Sequence, residues 1–176
     1  MQSVLDGICR YFGGAYDEQT RSYRSSPLSQ SGVGIVRRAF GKQDDHSEYL
    51  LGMAPGTRTG CHMVVFIAQS SERRIALGGE HSGQKQTVYD VTLNCFLRSS
   101  TAFAEDAQDD GFALRDALVE HMHGDRTLGG AVYQAGEYVE NGLGSIDCRF
   151  AQPETKAQLT KGFLEVRFAA IEIFNA

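Results

Sequence analysis

The stretch that decides the fold is Thr87-Val88-Tyr89-Asp90-Val91-Thr92-Leu93-Asn94-Cys95-Phe96-Leu97. Tyr89, Val91, Leu93, Cys95 and Leu97 recur at every second position, the period at which strand side chains share a face. Val88, Asp90, Thr92, Asn94 and Phe96 fill the other face, which is mostly polar. This pattern predicts a strand with one face packed on helices and the other turned to solvent or a neighbour.

Just downstream, Ser99, Ser100 and Thr101 are N-cap candidates, and Glu105 and Asp106 fall in the first turns, where the helix dipole favours anions. A helix is predicted from Phe103 to about His121. Phe103, Ala107, Gly111, Leu114, Leu118 and Met122 make one apolar ridge at spacings of three and four. Gly111 lies on that ridge at a cost of about 1 kcal/mol against Ala, so close approach to the sheet is expected there. Gly124 and Gly129-Gly130 end the helix and turn the chain. Strands are predicted over 131–139 and 145–150, joined as a hairpin by the Asn141-Gly142 signal. Residues 151–160 read as a polar connection. In the closing strand, 161–174, Leu164, Val166 and Phe168 set one phase and Ile171 and Ile173 the opposite one. A β-bulge at Ala169-Ala170, or a strand that leaves to join a partner's sheet, would account for the flip.

Upstream, Val4, Leu5, Ile8 and Phe12 predict a short amphipathic helix over 2–13, stopped by Gly13-Gly14. Residues 15–32 and 41–60 read as long loops, flanking a strand over 33–40. Cys61–Gln69 is apolar enough to be buried on both faces, and a short strand around Arg73–Leu77 follows. The sum is one α+β domain spanning 1–176: a largely antiparallel or mixed β-sheet, with an N-terminal helix and one long helix packed on one face.

Composition narrows the function classes. The 176 residues suffice for a core of their own, and no apolar run approaches the roughly 20 residues a membrane helix needs. Cys9, Cys61, Cys95 and Cys148 lie far apart, which suits buried free thiols in a reducing cytosol better than a disulfide framework or a zinc site. The net charge of −5 is uneven, with 10 Lys/Arg against 8 Asp/Glu in residues 1–88 and 7 against 14 in 89–176. An acidic second half does not draw nucleic acid, since sequence-independent affinity comes from Lys and Arg on phosphates.

Motifs for chemistry are weak. Gly78-Gly79-Glu80-His81-Ser82-Gly83-Gln84-Lys85 resembles a phosphate loop, but Gln84 separates the last Gly from Lys85 and a strand follows. His121 and His123, two apart on a helix, diverge by about 200° and cannot share a metal. No catalytic residue set, cofactor site or metal site is predicted. Long polar loops on a rigid sheet usually carry recognition, so Asp44, Asp45, His46, Arg58, His81 and Lys85 are the candidate partner-contact residues. The carboxylates of Glu105, Asp106, Asp109 and Asp110 read as a solvated helix face or as a negative surface along a DNA channel.

Three pieces in this order resemble the siphophage tail terminators, the lambda tail-terminator-like family. They are Gly79–Leu97, the helix Phe103–His121 with its turn Asp125-Arg126-Thr127-Leu128-Gly129-Gly130-Ala131-Val132, and the closing strand Phe163–Phe174. Together they cover a little over half the chain. The resemblance implies a structural virion protein of the tail and neck, assembled in the host bacterial cytoplasm. It implies a homo-hexameric ring at the head-proximal end of the tail tube that ends tube polymerisation. Its partners would be the major tail tube protein and the head-closure or connector protein, with viral DNA passing through the lumen without specific binding. Glu105, Asp106, Asp109 and Asp110 would then face that lumen. Two other readings are another neck or tail-completion protein, separable by gene order, and a small-ligand-binding α+β domain, which a deep apolar pocket would favour.

Overall fold

A computed structural model describes residues 1–40, 49, 59–77, 83–100, 103–136, 146–151 and 160–175. The fold is α+β, a mixed and mostly antiparallel eight-stranded sheet carrying α1 (Gln2–Gly13) and α2 (Ala104–Gly124). The strands are β1 (Ala15–Asp17), β2 (Ser22–Arg24), β3 (Val33–Arg38), β4 (Thr59–Leu77), β5 (Gly83–Ser99), β6 (Gln134–Ala135), β7 (Asp147–Ala151) and β8 (Thr160–Asn175). Their order is β1-β2-β3-β4-β5-β8-β6, with β7 also paired to β8. Among the described residues only the β3–β4 pair is parallel.

The alternation in β5 seats the helices. Tyr89, Val91, Leu93 and Cys95 join the main core with Val4, Ile8 and Phe12 of α1 and with Leu114, Leu118 and Met122 of α2. Each fully buried Leu or Met adds about 1.5–3 kcal/mol by leaving water. At the end of α1 the fit is close. A Cβ on Gly13 would stand 2.6 Å from the Cβ atoms of both Tyr23 and Val36, so only glycine lets the helix lie on β2 and β3. Gly14 then takes φ 81° and donates its N–H to the Arg10 carbonyl, ending the helix.

Several expectations are corrected. Residues 15–32 are no irregular loop: β1 and β2 form a hairpin there, and a 3-10 turn spans Ser29–Ser31. The Asp17 carboxylate tightens that hairpin's turn, accepting from the Gln19 N–H at 3.0 Å and the Thr20 hydroxyl at 2.8 Å. The expected loop 41–60 lies outside the described residues, apart from Tyr49 and from Thr59 and Gly60, which open β4. The two strands expected over 61–77 are one 19-residue strand, bulged between Ile67 and Gln69 and between Arg74 and Ala76.

From Val88 to Phe96 most of the second face of β5 is closed to solvent, with only Asp90 partly exposed. Thr92 is 1% exposed, Asn94 3% and Phe96 0%, with the Tyr49 ring standing edge-on to Phe96 at 5.2 Å. For α2, the N-cap position is Phe103, which makes no side-chain cap, rather than a Ser or Thr. Phe103 is itself exposed, off the ridge it was expected to begin. Gly111 makes no unusually close approach, since a Cβ there would meet Leu97 and Phe150 at an ordinary 3.5 Å.

At the far edge, β6 and β7 do not pair with each other. Both pair antiparallel with β8, one after the other along its outer side. The Asn141-Gly142 turn lies outside the described residues. Strand β8 pairs with β5 from Thr160 to Asn175 without a register shift, so it neither bulges nor leaves its sheet. Its phase flip has another cause. Leu164, Val166 and Phe168 face the helical core, whereas Ala169, Ile171 and Ile173 pack with Val88 into a second cluster. Odd and even positions of one strand point to opposite faces, so that cluster lies on the side away from the helices.

Candidate interaction surface

Strand length creates the most unusual surface. At about 3.3 Å per residue, the 19 residues of β4 span roughly 60 Å, against about 30 Å for the 21-residue α2 at 1.5 Å per residue. The strands are therefore about twice as long as α2. In β4, residues 68–76 are all exposed, and with β5 and the end of β8 they make a three-stranded arm.

One side of that arm is open. Strand β3 pairs with β4 only as far as Val65, where the Ala39 N–H bonds to the Val65 carbonyl. Among the described residues no strand covers the outer edge of β4 beyond that point. Unpaired strand edges are ready templates for another chain unless they are blunted, and the bulges at Ala68 and Ile75 interrupt a flat edge. The bulge at Ile75 leaves that side chain 43% exposed.

Cross-strand pairs hold the arm. The Arg73 Nε–H donates to Gln86 Oε1 at 2.7 Å, and Lys85 Nζ stands 2.8 Å from Glu72 Oε1. At the root of the arm, Tyr89 Oη donates to Glu172 Oε2 at 2.7 Å. Burial, and then the Glu172 carboxylate, push the Tyr89 phenol up to about 12.

A different surface lies at the opposite end of the same strands. There the rings of Phe112 on α2 and Phe150 on β7 meet edge to face at 5.2 Å, and each is nearly half exposed. They border a hollow of about 460 Å³, also lined by Leu97, Gly111, Lys161 and Phe163. Glu105 and Asp109 lie seven and three residues before Phe112, on the same side of α2, and both are exposed.

The turn after α2 is built by its own sequence. The Asp125 carboxylate accepts from the Thr127 N–H at 2.9 Å, the Thr127 hydroxyl at 2.6 Å and the Gly129 N–H at 2.9 Å. These bonds, the Thr127 side chain first, hold the Asp125 carboxyl below its usual range. Thr127 Oγ1 also accepts from the Gly130 N–H at 3.1 Å. Leu128, Gly129 and Gly130 all have positive φ (50°, 71° and 81°), and Leu128 is buried. The strained leucine is offset by burying its side chain in the core. Each residue of Asp125-x-Thr127-Leu128-Gly129-Gly130 thus has a role in aiming the chain from α2 toward the β8 edge.

Of the expected partner-contact residues, Lys85 lies on the arm, while Asp44, Asp45, His46, Arg58 and His81 lie outside the described residues. Glu105, Asp109 and Asp110 are exposed on α2, and Asp106 is half-buried. His121 is half-buried against Tyr11 and His123 is exposed, so the two rings do go separate ways. No group of three or more His, Cys, Asp or Glu among the described residues could hold a metal. Arg73, Arg74, Ile75, Phe112 and Phe150 were not singled out from sequence. Their local signal, a charged or apolar residue inside a regular element, is the same as that of any core or surface position. No protein-family model and no curated protein matches the chain.

Proposed function

We propose that the chain is a structural virion subunit, a siphophage tail terminator. It forms a homo-hexameric ring on the head-proximal end of the tail tube, ends tube polymerisation and receives the head-closure or connector protein. The resemblance of Gly79–Leu97, Phe103–Val132 and Phe163–Phe174 supports this reading. The observation that carries it is the arm, whose residues 68–76 are exposed with one strand edge open among the described residues. A soluble domain gains nothing for its own stability from strands about three times the usual length. A subunit that must hold neighbours does. The role is one of assembly, with no reaction performed, and the acidic second half lets DNA pass without adhering.

The test is tube assembly in vitro. Major tail tube protein polymerised alone should give tubes of unlimited length, and adding the purified chain should cap them with a ring visible by negative stain. Tubes that keep growing at saturating amounts of a folded chain would sink the reading.

A further inference from the structure

The two exposed surfaces lie at opposite ends of the same strands, and their chemistries match. The arm carries Arg73 and Arg74 beside the exposed Ile75, while Lys85 across on β5 is paired with Glu72. The far end offers the Phe112–Phe150 hollow, with Lys161 in its wall and with Glu105 and Asp109 exposed on the Phe112 side of α2. Lys85 and Leu97, which mark the two ends on β5, are twelve residues and so about 40 Å apart. One molecule cannot bring its own arm to its own hollow.

We propose that the arm of one copy docks on the hollow of the next. Ile75 enters the hollow beside the Phe112 and Phe150 rings, and Arg73 and Arg74 meet Glu105 and Asp109. The occupant is a second copy of this chain because the same molecule supplies both complementary halves, apolar to apolar and basic to acidic. The apolar anchor supplies the affinity, and the charges fix orientation and encounter rate. Because the contact joins two different patches, it is heterologous: repeated through one rotation it closes a ring, and without closure it gives a filament. This deepens the proposed ring and rests on it. It takes Glu105 and Asp109 into the subunit contact, while Asp110, about 100° further round the helix, stays outside it.

The test uses the full chain with Cys148 replaced by serine, so that no native thiol near the hollow interferes. Ile75→Cys and Phe112→Cys variants are made separately, mixed and oxidised. A disulfide-linked dimer in the mixture, absent from either variant alone, is the expected result. Rings seen by microscopy without any such link would overturn the docking while leaving the ring itself standing. A chain that remains a single copy at every concentration would remove both. Charge exchange gives a second measurement, independent of thiols. Arg73→Glu with Arg74→Glu should weaken self-association at least tenfold by sedimentation. Combining that variant with one carrying Glu105→Arg and Asp109→Arg should restore it. Failure of the pair to recover any association would also overturn the contact.

Discussion

The Tyr11 ring lies flat on His121, with centroids 4.2 Å apart and planes 21° from parallel, and its hydroxyl donates to the His121 backbone carbonyl. This contact joins two helices 110 residues apart in sequence at the point where α2 gives way to its turn. Tyr11→Phe keeps the stack and removes the hydrogen bond, leaving a half-buried carbonyl without it. The expected loss is about 1 kcal/mol. For a chain of this size that is a fall in Tm of about 2–4 °C. Calorimetry of the variant decides the matter, and an unchanged Tm would show that the helices are held by their apolar faces alone.

Two glycines should respond oppositely to the same substitution. Gly13→Ala drives a Cβ into the Cβ atoms of Tyr23 and Val36 at 2.6 Å, neither of which can swing away, since both are fixed to the backbone. A loss of about 1–3 kcal/mol is expected from such overpacking. Gly111→Ala meets Leu97 and Phe150 at 3.5 Å, a comfortable contact, inside a helix. It should raise stability by up to about 1 kcal/mol through helix propensity. Urea unfolding of both variants checks the pair, and a destabilised Gly111→Ala would mean the helix sits closer to the sheet than its atoms indicate.

The turn at Asp125 should confer acid sensitivity. Its carboxyl is held below the usual range by the Thr127 and Gly129 hydrogen bonds, so the ionised form favours the folded chain. A depressed folded pKa means the contribution is complete above the unfolded value near 4 and is lost as pH falls through the folded one. Asp125→Asn should therefore be less stable than the parent at pH 7, with the gap narrowing below pH 4. Thermal melts across that range test it, and a gap independent of pH would assign the turn to geometry rather than charge.

How much of this was legible in the sequence follows from period and range. Helix α1, strand β5 and the ridge Leu114-Leu118-Met122 are local patterns whose period names the element, and the structure has them. The β1–β2 hairpin was hidden because three-residue strands have no measurable period. The buried state of Thr92 and Asn94 was hidden because what covers a polar face is set by distant chain, as Tyr49 does over the neighbouring Phe96. Strand β8 misled for a related reason: its two apolar phases serve two clusters on opposite faces of one continuous strand. The arm was divided into two strands because bulges at Ala68 and Ile75 break the alternation while leaving the pairing intact. The exposed apolar residues of the proposed contact are the least legible, since Phe112 and Ile75 look like core residues until the layers are placed.

Alkali should loosen the fold. Burial first, and nearby carboxylates second, push the Tyr11 and Tyr89 phenols up to about 12, and Tyr23 is raised in the same way. An unfolded tyrosine ionises near 10, so the neutral phenol is favoured in the folded chain. That contribution is complete below pH 10 and disappears as pH rises through 12. Denaturant midpoints should hold steady to about pH 10 and then fall, and Tyr89→Phe should flatten the decline. An unaltered slope in that variant would exclude Tyr89 as a source.

Thr92 offers a substitution expected to improve the protein. Its hydroxyl oxygen is buried without a hydrogen-bond partner among the described residues, on the face of β5 opposite the helices and in register with Phe66 and Arg167. An unsatisfied buried hydroxyl costs about 1–3 kcal/mol, and valine has nearly the same shape without it. Valine also favours a strand at least as well as threonine does. Thr92→Val should then raise stability by about 1 kcal/mol, or Tm by about 2–4 °C, as read by calorimetry. A fall instead would mean that the hydroxyl is bonded in the folded protein, and that the polar row along β5 is a working network rather than an offset cost. The same variant bears on assembly: if stability rises and rings still form, the row serves neither the subunit nor its contacts.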